Sequence, residues 1–235
     1  MRTDRWPNGC KFLQTPRQFA LTTDSVLLAG FAGEKRARLA ADLGCGIGGI
    51  AILMCERSAQ LRVDCIEIQP EAAYLASENV KLNGMDSRIR IIEGDLRRSE
   101  LLPSDTYDLV VCNPPYFSAG TGKPPKTPTI ERARSDTDCT IEDCCIAAAR
   151  LLKTGGRFCV CFRAERLVDL FCAMRSSGIE PKRLRYVRDK LGSKSNIVLT
   201  EGVKGAGVQL THEPDLIIRC EDGSYTDEVK RIYGI

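Results

Sequence analysis

The chain has 235 residues and a net charge of +3, with 34 lysines and arginines set against 31 aspartates and glutamates. This length suits one large domain. So small a charge excess excludes a surface that is basic throughout, and any contact with nucleic acid must be local. Polar, arginine-rich residues follow Met1 and no apolar run is long enough to cross a membrane, which predicts neither a signal peptide nor a membrane span.

The cysteines indicate a reducing compartment. There are twelve, but no Cys-x-x-Cys pair is present, and the single histidine, His212, cannot build a histidine-rich metal site. Cys139, Cys144 and Cys145 could cluster, although cysteines on an ordinary helix surface are the favoured interpretation. We therefore predict a cytoplasmic protein without a metal. Six other cysteines lie in apolar segments, where a thiol behaves as a small hydrophobe: Cys45, Cys55, Cys65, Cys112, Cys159 and Cys161.

The first predicted helix, with its cap, lies within residues 21–29, after a polar and basic segment over residues 1–18. Thr23 or Asp24 would cap its N-terminus, and the apolar run that follows would be its buried start. Asp24 could instead face a ligand, but capping is the favoured interpretation.

A glycine-rich turn follows the first predicted strand, residues 38–43, and leads into an apolar helix. Its sequence is Gly44-Cys45-Gly46-Ile47-Gly48-Gly49. Glycines at a strand-to-helix turn let the backbone approach a ligand closely, but such a turn alone is weak evidence. Two acidic residues strengthen it. Asp42 precedes the first glycine, and Glu67 ends the second predicted strand, where an acidic residue would meet ribose hydroxyls.

Two further strands end in polar residues. The third, residues 89–92, leads to Asp95, which could accept a hydrogen bond from an adenine amino group or could be an ordinary turn aspartate. The fourth, residues 107–112, leads directly to Asn113. Since ligands bind in the crevice at the carboxyl ends of parallel strands, these residues are predicted to line one crevice.

The turn Asn113-Pro114-Pro115-Tyr116 has residue types that suit a flipped-out base. An amino nitrogen conjugated to a planar ring is a poor nucleophile because its lone pair is delocalised. The Asn113 amide oxygen and the Pro114 carbonyl could each accept an N–H from it and draw it towards tetrahedral geometry. Two successive prolines stiffen the turn, and Tyr116 would stack on the base. The alternative, a plain turn after a strand, becomes less favoured once the upstream motifs are considered.

Together these motifs resemble those of the class I S-adenosylmethionine-dependent methyltransferases. Within that superfamily the chain looks like the small-methyltransferase group that contains the bacterial tRNA1(Val) adenine-N6 methyltransferases. The narrower resemblance departs at Ser135, where such relatives tend to carry a histidine after the pair Ala133-Arg134. The matching superfamily motifs are Asp42-Leu43-Gly44-Cys45-Gly46, Glu67, Asp95 and Asn113-Pro114-Pro115-Tyr116. The narrower resemblance adds Gln18-Phe19, residues 23–29, Gly155-Gly156-Arg157-Phe158, Glu201-Gly202, Lys204-Gly205 and Tyr225-Thr226.

This resemblance implies an α/β, Rossmann-like fold with a seven-stranded mixed sheet, helices on both faces and an antiparallel last strand. It implies one domain over residues 1–235, divided into an N-terminal extension on the cofactor and substrate side (1–37) and a Rossmann-like core (38–235). The implied reaction transfers the methyl group of S-adenosyl-L-methionine to the exocyclic N6 of adenine in RNA, with tRNA favoured. No metal is needed, because the sulfonium is already a good methyl donor.

The resemblance also assigns roles to individual residues. Glu67 would hold the ribose hydroxyls and Asp95 the adenine amino group of the cofactor. Asp42 would order the loop or bind the methionine ammonium. The methionine part would lie against Gly44, Cys45 and Gly46. Asn113, which also borders the cofactor, and Pro114 would orient the target amine, with Pro115 stiffening the turn and Tyr116 stacking on the base.

Residues 117–135 are rich in glycine, proline and lysine and are predicted to form a mobile loop beside this site. Residues 181–204 are strongly basic. This stretch could be an ordinary solvated surface, or it could contact RNA phosphates. Because a base-binding turn is predicted as well, we slightly favour phosphate contact.

Two other functions stay open. A protein glutamine-N5 methyltransferase would use the same turn on a planar amide, although the chain lacks a long N-terminal helical substrate domain. A non-catalytic RNA-binding module would have no need of an intact Asn113-Pro114-Pro115-Tyr116.

Overall fold

The computed structural model describes residues 2–15, 20–33, 36–114 and 139–235. Pro115, Tyr116, Ser135 and the predicted loop over residues 117–135 therefore lie outside the described residues, as do Gln18-Phe19 and Ala133-Arg134. The strands are β1 (Arg2–Arg5), β2 (Lys11–Gln14), β3 (Leu39–Leu43), β4 (Arg62–Glu67), β5 (Ile89–Glu93), β6 (Tyr107–Cys112), β7 (Leu152–Arg163), β8 (Ile179–Arg188), β9 (Ile197–Lys204), β10 (Thr211–His212) and β11 (Leu216–Ile217). The helices are α1 (Thr23–Phe31), α2 (Gly49–Arg57), α3 (Pro70–Leu82), α4 (Ile141–Leu151), α5 (Leu167–Ser176) and α6 (Asp227–Tyr233), with a short 3₁₀ turn at Ala164–Arg166.

The main sheet has the order β10-β8-β9-β7-β6-β3-β4-β5, with β11 also paired to β8. Strands β3 to β7 pair in parallel, and β9 is antiparallel to both of its neighbours. This arrangement confirms the predicted mixed sheet, in which β9, the last of the seven strands from β3 to β9, is the antiparallel one. The predicted number of seven strands is too low, because the short strands β10 and β11 bring the sheet to nine strands among the described residues. Each has only two residues, too few to show a hydrophobic alternation.

Helices cover both faces of the sheet because the central strands are apolar on both sides. Side chains of β3 and β6 alternate between two buried clusters, as the two-residue period of a strand requires. Ala40 and Val111 belong to the cluster under α1, α2, α3 and α6, whereas Ala41 and Val110 belong to the cluster under α4 and α5. The predicted division of the domain at residue 37 stays a prediction, although α1 contributes several core residues to the first cluster.

The cap of α1 differs from its predicted residue. Thr22, rather than Thr23 or Asp24, is the N-cap, and its hydroxyl accepts a hydrogen bond from Ser25 N at 3.2 Å. Asp24 lies in the first turn, where a carboxylate interacts favourably with the helix dipole. Helix α4 begins with a capping box, in which the side chains of Thr140 and Asp143 each accept from the other's backbone N–H.

Candidate active site

The glycine turn connects β3 to α2 at the carboxyl edge of the sheet. Gly44, Gly46 and Gly48 have φ of +71°, +56° and +78°, a region that residues with a Cβ rarely adopt. The backbone N–H groups of Gly44 and Cys45 donate to the carbonyl of Ile66, at 2.9 and 3.0 Å. A Cβ added at Gly44 or Gly46 would meet no atom of the described residues within 4 Å, apart from those of its chain neighbours. The turn is therefore tied to β4 on one side and open on the other, as a ligand cradle requires.

Glu67 lies where this turn meets the end of β4. Its side chain is buried, and its two oxygens accept from Gly46 N at 2.8 Å and from Gln69 N at 2.9 Å. Burial raises the pKa of Glu67, and these backbone donors oppose the rise. The structure thus places the predicted ribose ligand in contact with the predicted glycine turn.

Asp42 is fully buried, and neither of its oxygens has a hydrogen-bond partner among the described residues. Burial and, after it, the Glu67 carboxylate raise the pKa of Asp42 to about 7. The backbone N–H of Ala51 opposes this rise in pKa without meeting hydrogen-bond geometry. Because a buried carboxyl group with so little support is costly, this position is suited to a ligand that brings donors or positive charge. The amino group of a bound methionine moiety has that chemistry.

Asp95 follows β5 next to Glu67, because Gly94 N donates to the Glu67 carbonyl at 2.9 Å. Its carboxylate is paired with Arg97, with Nε–Oδ1 at 2.9 Å and a second contact from the other guanidinium nitrogen to Oδ2 at 2.5 Å. This arginine lowers the pKa of Asp95. An adenine amino group at this edge would have to share the carboxylate with Arg97.

Asn113 follows β6 and is half-buried, and the next residue, Pro114, is buried. The amide nitrogen of Asn113 donates to Ser25 Oγ at 3.1 Å, and Ser25 Oγ lies 3.0 Å from Thr22 Oγ. The first turn of α1 therefore orients the amide, with its oxygen directed away from Ser25. Pro115 and Tyr116 lie outside the described residues, so their predicted roles stay predictions.

Two site-supporting residues were missed in the sequence. Ser25 was placed only within a capped helix, and its partner is 88 positions away. Asn79, fully buried in α3, donates to the carbonyls of Ile47 and Leu13, at 3.0 and 3.1 Å, and accepts from Leu13 N at 2.5 Å. Asn79 thus joins the glycine turn to the N-terminal hairpin, which is formed by β1 and β2. A polar residue within the apolar face of α3 was the available signal.

The basic stretch over residues 181–204 is mostly engaged inside the protein. Its arginines pair with carboxylates within the stretch and in later segments, and among the described residues only Lys194 has neither a hydrogen bond nor an ion pair. This favours the interpretation as protein surface over the predicted phosphate contact. The ion pairs are Arg183 with Glu201 and Glu213, Arg185 with Glu228, Arg188 with Asp215, and Lys204 with Asp105.

Residues 21–169, the segment that contains this crevice, match the family model described as the methyltransferase small domain. The chain belongs to the methyltransferase small domain family. A relative from Aeromonas hydrophila, named tRNA1(Val) (adenine(37)-N6)-methyltransferase, is 30% identical over 87% of this chain and 84% of its own. A relative of the same name from Porphyromonas gingivalis is 31% identical over 93% of this chain and 89% of its own.

Solved structures show the same fold. A predicted O-methyltransferase from Agrobacterium tumefaciens superimposes with a TM-score of 0.75 at 22% identity, covering 90% of this chain and 96% of its own. A geranyl diphosphate C-methyltransferase from Streptomyces coelicolor, solved with S-adenosyl-L-homocysteine, has a TM-score of 0.55 at 13% identity and covers 76% of this chain and 80% of its own.

This small-domain protein is a methyltransferase, and its cofactor is S-adenosyl-L-methionine. The residues fit that cofactor. The orphaned Asp42 carboxylate is suited to its ammonium group, and the open side of Gly44 and Gly46 has room for its methionine part.

Proposed function

We propose that this methyltransferase acts on the exocyclic N6 of an adenine in tRNA. The observation that carries the proposal is the position of the Asn113 amide. Asn113 follows β6, which pairs with β3, the strand that leads into the glycine turn, and its amide nitrogen donates to Ser25. The names of relatives that align over most of both chains support the acceptor, since they specify adenine-N6 in tRNA1(Val).

The cofactor-side residues would divide the binding work. Glu67 accepts from the ribose hydroxyls, Asp95 from the adenine amino group, and Asp42 from the methionine ammonium. The backbone of Gly44, Cys45 and Gly46 borders the methionine part. When bound, S-adenosylmethionine supplies a methyl group already activated by its sulfonium.

The acceptor-side residues would act on the target amine. Asn113, whose amide nitrogen donates to Ser25, would accept one N–H of the target amine through its amide oxygen, and the Pro114 carbonyl would accept the other. Both hydrogen bonds draw the amine nitrogen out of conjugation with the ring and towards the geometry in which its lone pair can attack. Tyr116 stacks on the base, and Pro115 holds the turn. Catalysis then rests on positioning and polarisation.

The compartment we propose is the cytoplasm. All twelve cysteines are free thiols, and none of the described helices is long and apolar enough to cross a membrane. The first of these observations suits a reducing compartment, where tRNA is also modified.

Labelling distinguishes this function from its alternatives. The enzyme is incubated with methyl-labelled cofactor and either total RNA or total protein, with Asn113→Ala as the inactive control, and labelled RNA is digested to nucleosides. Label in N6-methyladenosine from the tRNA fraction is the expected result. Label in the protein fraction would indicate glutamine-N5 methylation, and no label in either fraction would indicate a non-catalytic module.

A further inference from the structure

A cavity of about 710 Å³ lies at the amino edge of the sheet, away from the active site. Gly30, near the end of α1, and Arg57, at the end of α2, line it. Both helices begin at the opposite edge, beside Asn113 and the glycine turn, and each has nine residues. Such helices are about 13 Å long, so the cavity is separate from the cofactor crevice. Its volume lies in the usual range of small-molecule sites.

The lining of this cavity is strongly cationic. Five arginines line it together with two carboxylates, Glu201 and Glu228, which leaves an excess of three positive charges. Like charges on a concave wall repel one another and attract an anion. The five lining arginines are Arg36, Arg57, Arg157, Arg183 and Arg231.

Two of these arginines are fixed in place. Arg157 and Arg183 each donate to the same oxygen of Glu201, at 2.9 Å, and the Glu201 side chain is only 7% exposed. Arg157 also donates to the carbonyls of Ala32 and Gly33, at 2.7 and 3.0 Å. A guanidinium held in this way loses little conformational entropy when a ligand binds.

The other three arginines have no carboxylate partner among the described residues. Arg57 donates to the carbonyl of Ile232 at 2.8 Å, and Arg36 and Arg231 are exposed at the cavity without a recorded ion pair. The second lining carboxylate, Glu228, is already held by both guanidinium nitrogens of Arg185, at 2.6 and 2.7 Å. The positive charge of the cavity is therefore only partly neutralised by carboxylates of the described residues, which include Glu201 and Glu213 beside Arg183.

We propose that this cavity binds a small molecule that carries two or more linked phosphate groups. Arginine is the side chain best suited to phosphate, which it binds through two parallel N–H bonds. A single phosphate brings at most about two negative charges, fewer than the excess of three, whereas a diphosphate matches it. A concave site of this volume, with two of its arginines held in place, fits a compact ligand better than an RNA strand, whose target base belongs at the other edge of the sheet.

Calorimetry on the full chain tests this site. Saturating S-adenosylhomocysteine is kept present so that no adenosine enters the cofactor crevice, and orthophosphate, pyrophosphate and ADP are titrated separately. The cavity variant is Arg36→Ala with Arg231→Ala. The matched control is Arg98→Ala with Arg175→Ala, which removes the same charge from exposed ion pairs outside the cavity. Thermal melting of both variants checks that they fold.

The parent should bind pyrophosphate saturably and more tightly than orthophosphate. The cavity variant should bind it roughly tenfold or more weakly for each arginine lost, the usual scale of a charge-assisted hydrogen bond, and the control should bind like the parent. ADP binding more tightly than pyrophosphate would support a nucleotide ligand, and equal binding would support recognition of the phosphates alone. The proposal fails if pyrophosphate does not bind or binds no better than orthophosphate. It also fails if the control loses as much affinity, or if a tRNA transcript displaces pyrophosphate and binds more weakly to the cavity variant.

Discussion

At the scale of one residue, we predict that Asp42 couples folding stability to cofactor binding. In the cofactor-free protein its pKa is raised to about 7 from an ordinary value of 3.8. Between these pH values the folded state holds a proton that the unfolded state releases. The stability from this group is therefore full below the ordinary pKa and is lost as the pH rises through about 7. A ligand ammonium would favour the ionised carboxylate and reverse this effect.

We predict that Asp42→Asn removes this pH dependence. The cofactor-free parent should lose free energy of unfolding between about pH 5 and about pH 8 relative to the variant, by an amount on the order of a few kcal/mol. S-adenosylhomocysteine should bind the variant roughly 10- to 100-fold more weakly, because a charged partner is lost. Urea unfolding at both pH values and calorimetry make the comparison. Parallel pH profiles of stability would show that Asp42 does not titrate in this range.

Asn113 should contribute to the transition state more than to ground-state binding. Asn113→Ala is expected to lower turnover roughly 10²- to 10³-fold, as the loss of one preorganised polar contact does, with cofactor affinity nearly unchanged. Ser25→Ala keeps the Asn113 amide but removes the hydroxyl that orients it. A smaller loss of turnover, about tenfold, is therefore expected. Single-turnover rates on a tRNA acceptor at saturating cofactor provide the test. Near-parental turnover of Asn113→Ala would leave the turn with a structural role alone.

At the scale of elements, two asparagines bind the N-terminal hairpin to α3. Asn79 lies within the helix and Asn83 is its C-cap residue. Asn79 bonds both the hairpin and the Ile47 carbonyl of the turn. Asn83, one helical turn later, bonds the backbone N–H and carbonyl of Lys11 in the hairpin, at 2.9 and 2.8 Å, but has no recorded bond to the turn. The two residues thus form a matched pair, of which only Asn79 reaches the cofactor site.

We predict that Asn79→Ala weakens S-adenosylhomocysteine binding and that Asn83→Ala does not. Both substitutions should increase amide hydrogen exchange in residues 2–15, because both remove a bond to the hairpin. Only Asn79→Ala leaves the Ile47 carbonyl without its donor, and an unsatisfied buried group costs roughly 1–3 kcal/mol. Hydrogen exchange and calorimetry measure the two effects. Equal affinity losses in the two variants would assign both to the hairpin instead of the turn.

The elements most visible in the sequence are those built from local patterns. The apolar runs of β3, β4 and β6 and the glycines after β3 predicted the parallel sheet and its crevice, because burial on both faces leaves a continuous apolar signal. The cap of α1 was placed one or two residues late, since Thr22, Thr23 and Asp24 are all capping residues and the path of the chain selects among them. Contacts between distant segments, such as that of Ser25 with Asn113, carry no local pattern.

At the scale of the whole molecule, charge is balanced by pairing across the sheet. Arg183 on β8 contacts Glu201 on β9, which also binds Arg157 on β7. These ion pairs link three strands. The partners cannot be recognised in the sequence, where Arg183 is visible only as part of a basic stretch. The position of Arg183 along the chain suggested a surface that contacts RNA phosphates, whereas its ion pairs with Glu201 and Glu213 favour a role in linking strands and in lining the cavity.

We predict that replacing Arg183 and Arg185 by alanine lowers stability and leaves the salt dependence of tRNA binding unchanged. Losing the partner of a partly buried carboxylate should cost roughly 1–3 kcal/mol, visible in urea unfolding. Each RNA phosphate contact contributes about 0.7 to 0.9 to the slope of log affinity against log salt, so a slope equal to that of the parent means that neither arginine contacts a phosphate of the tRNA. Lys194→Ala is the control, because this exposed lysine has no ion pair among the described residues and should not alter stability. A slope flattened by the double substitution would return these arginines to the RNA interface.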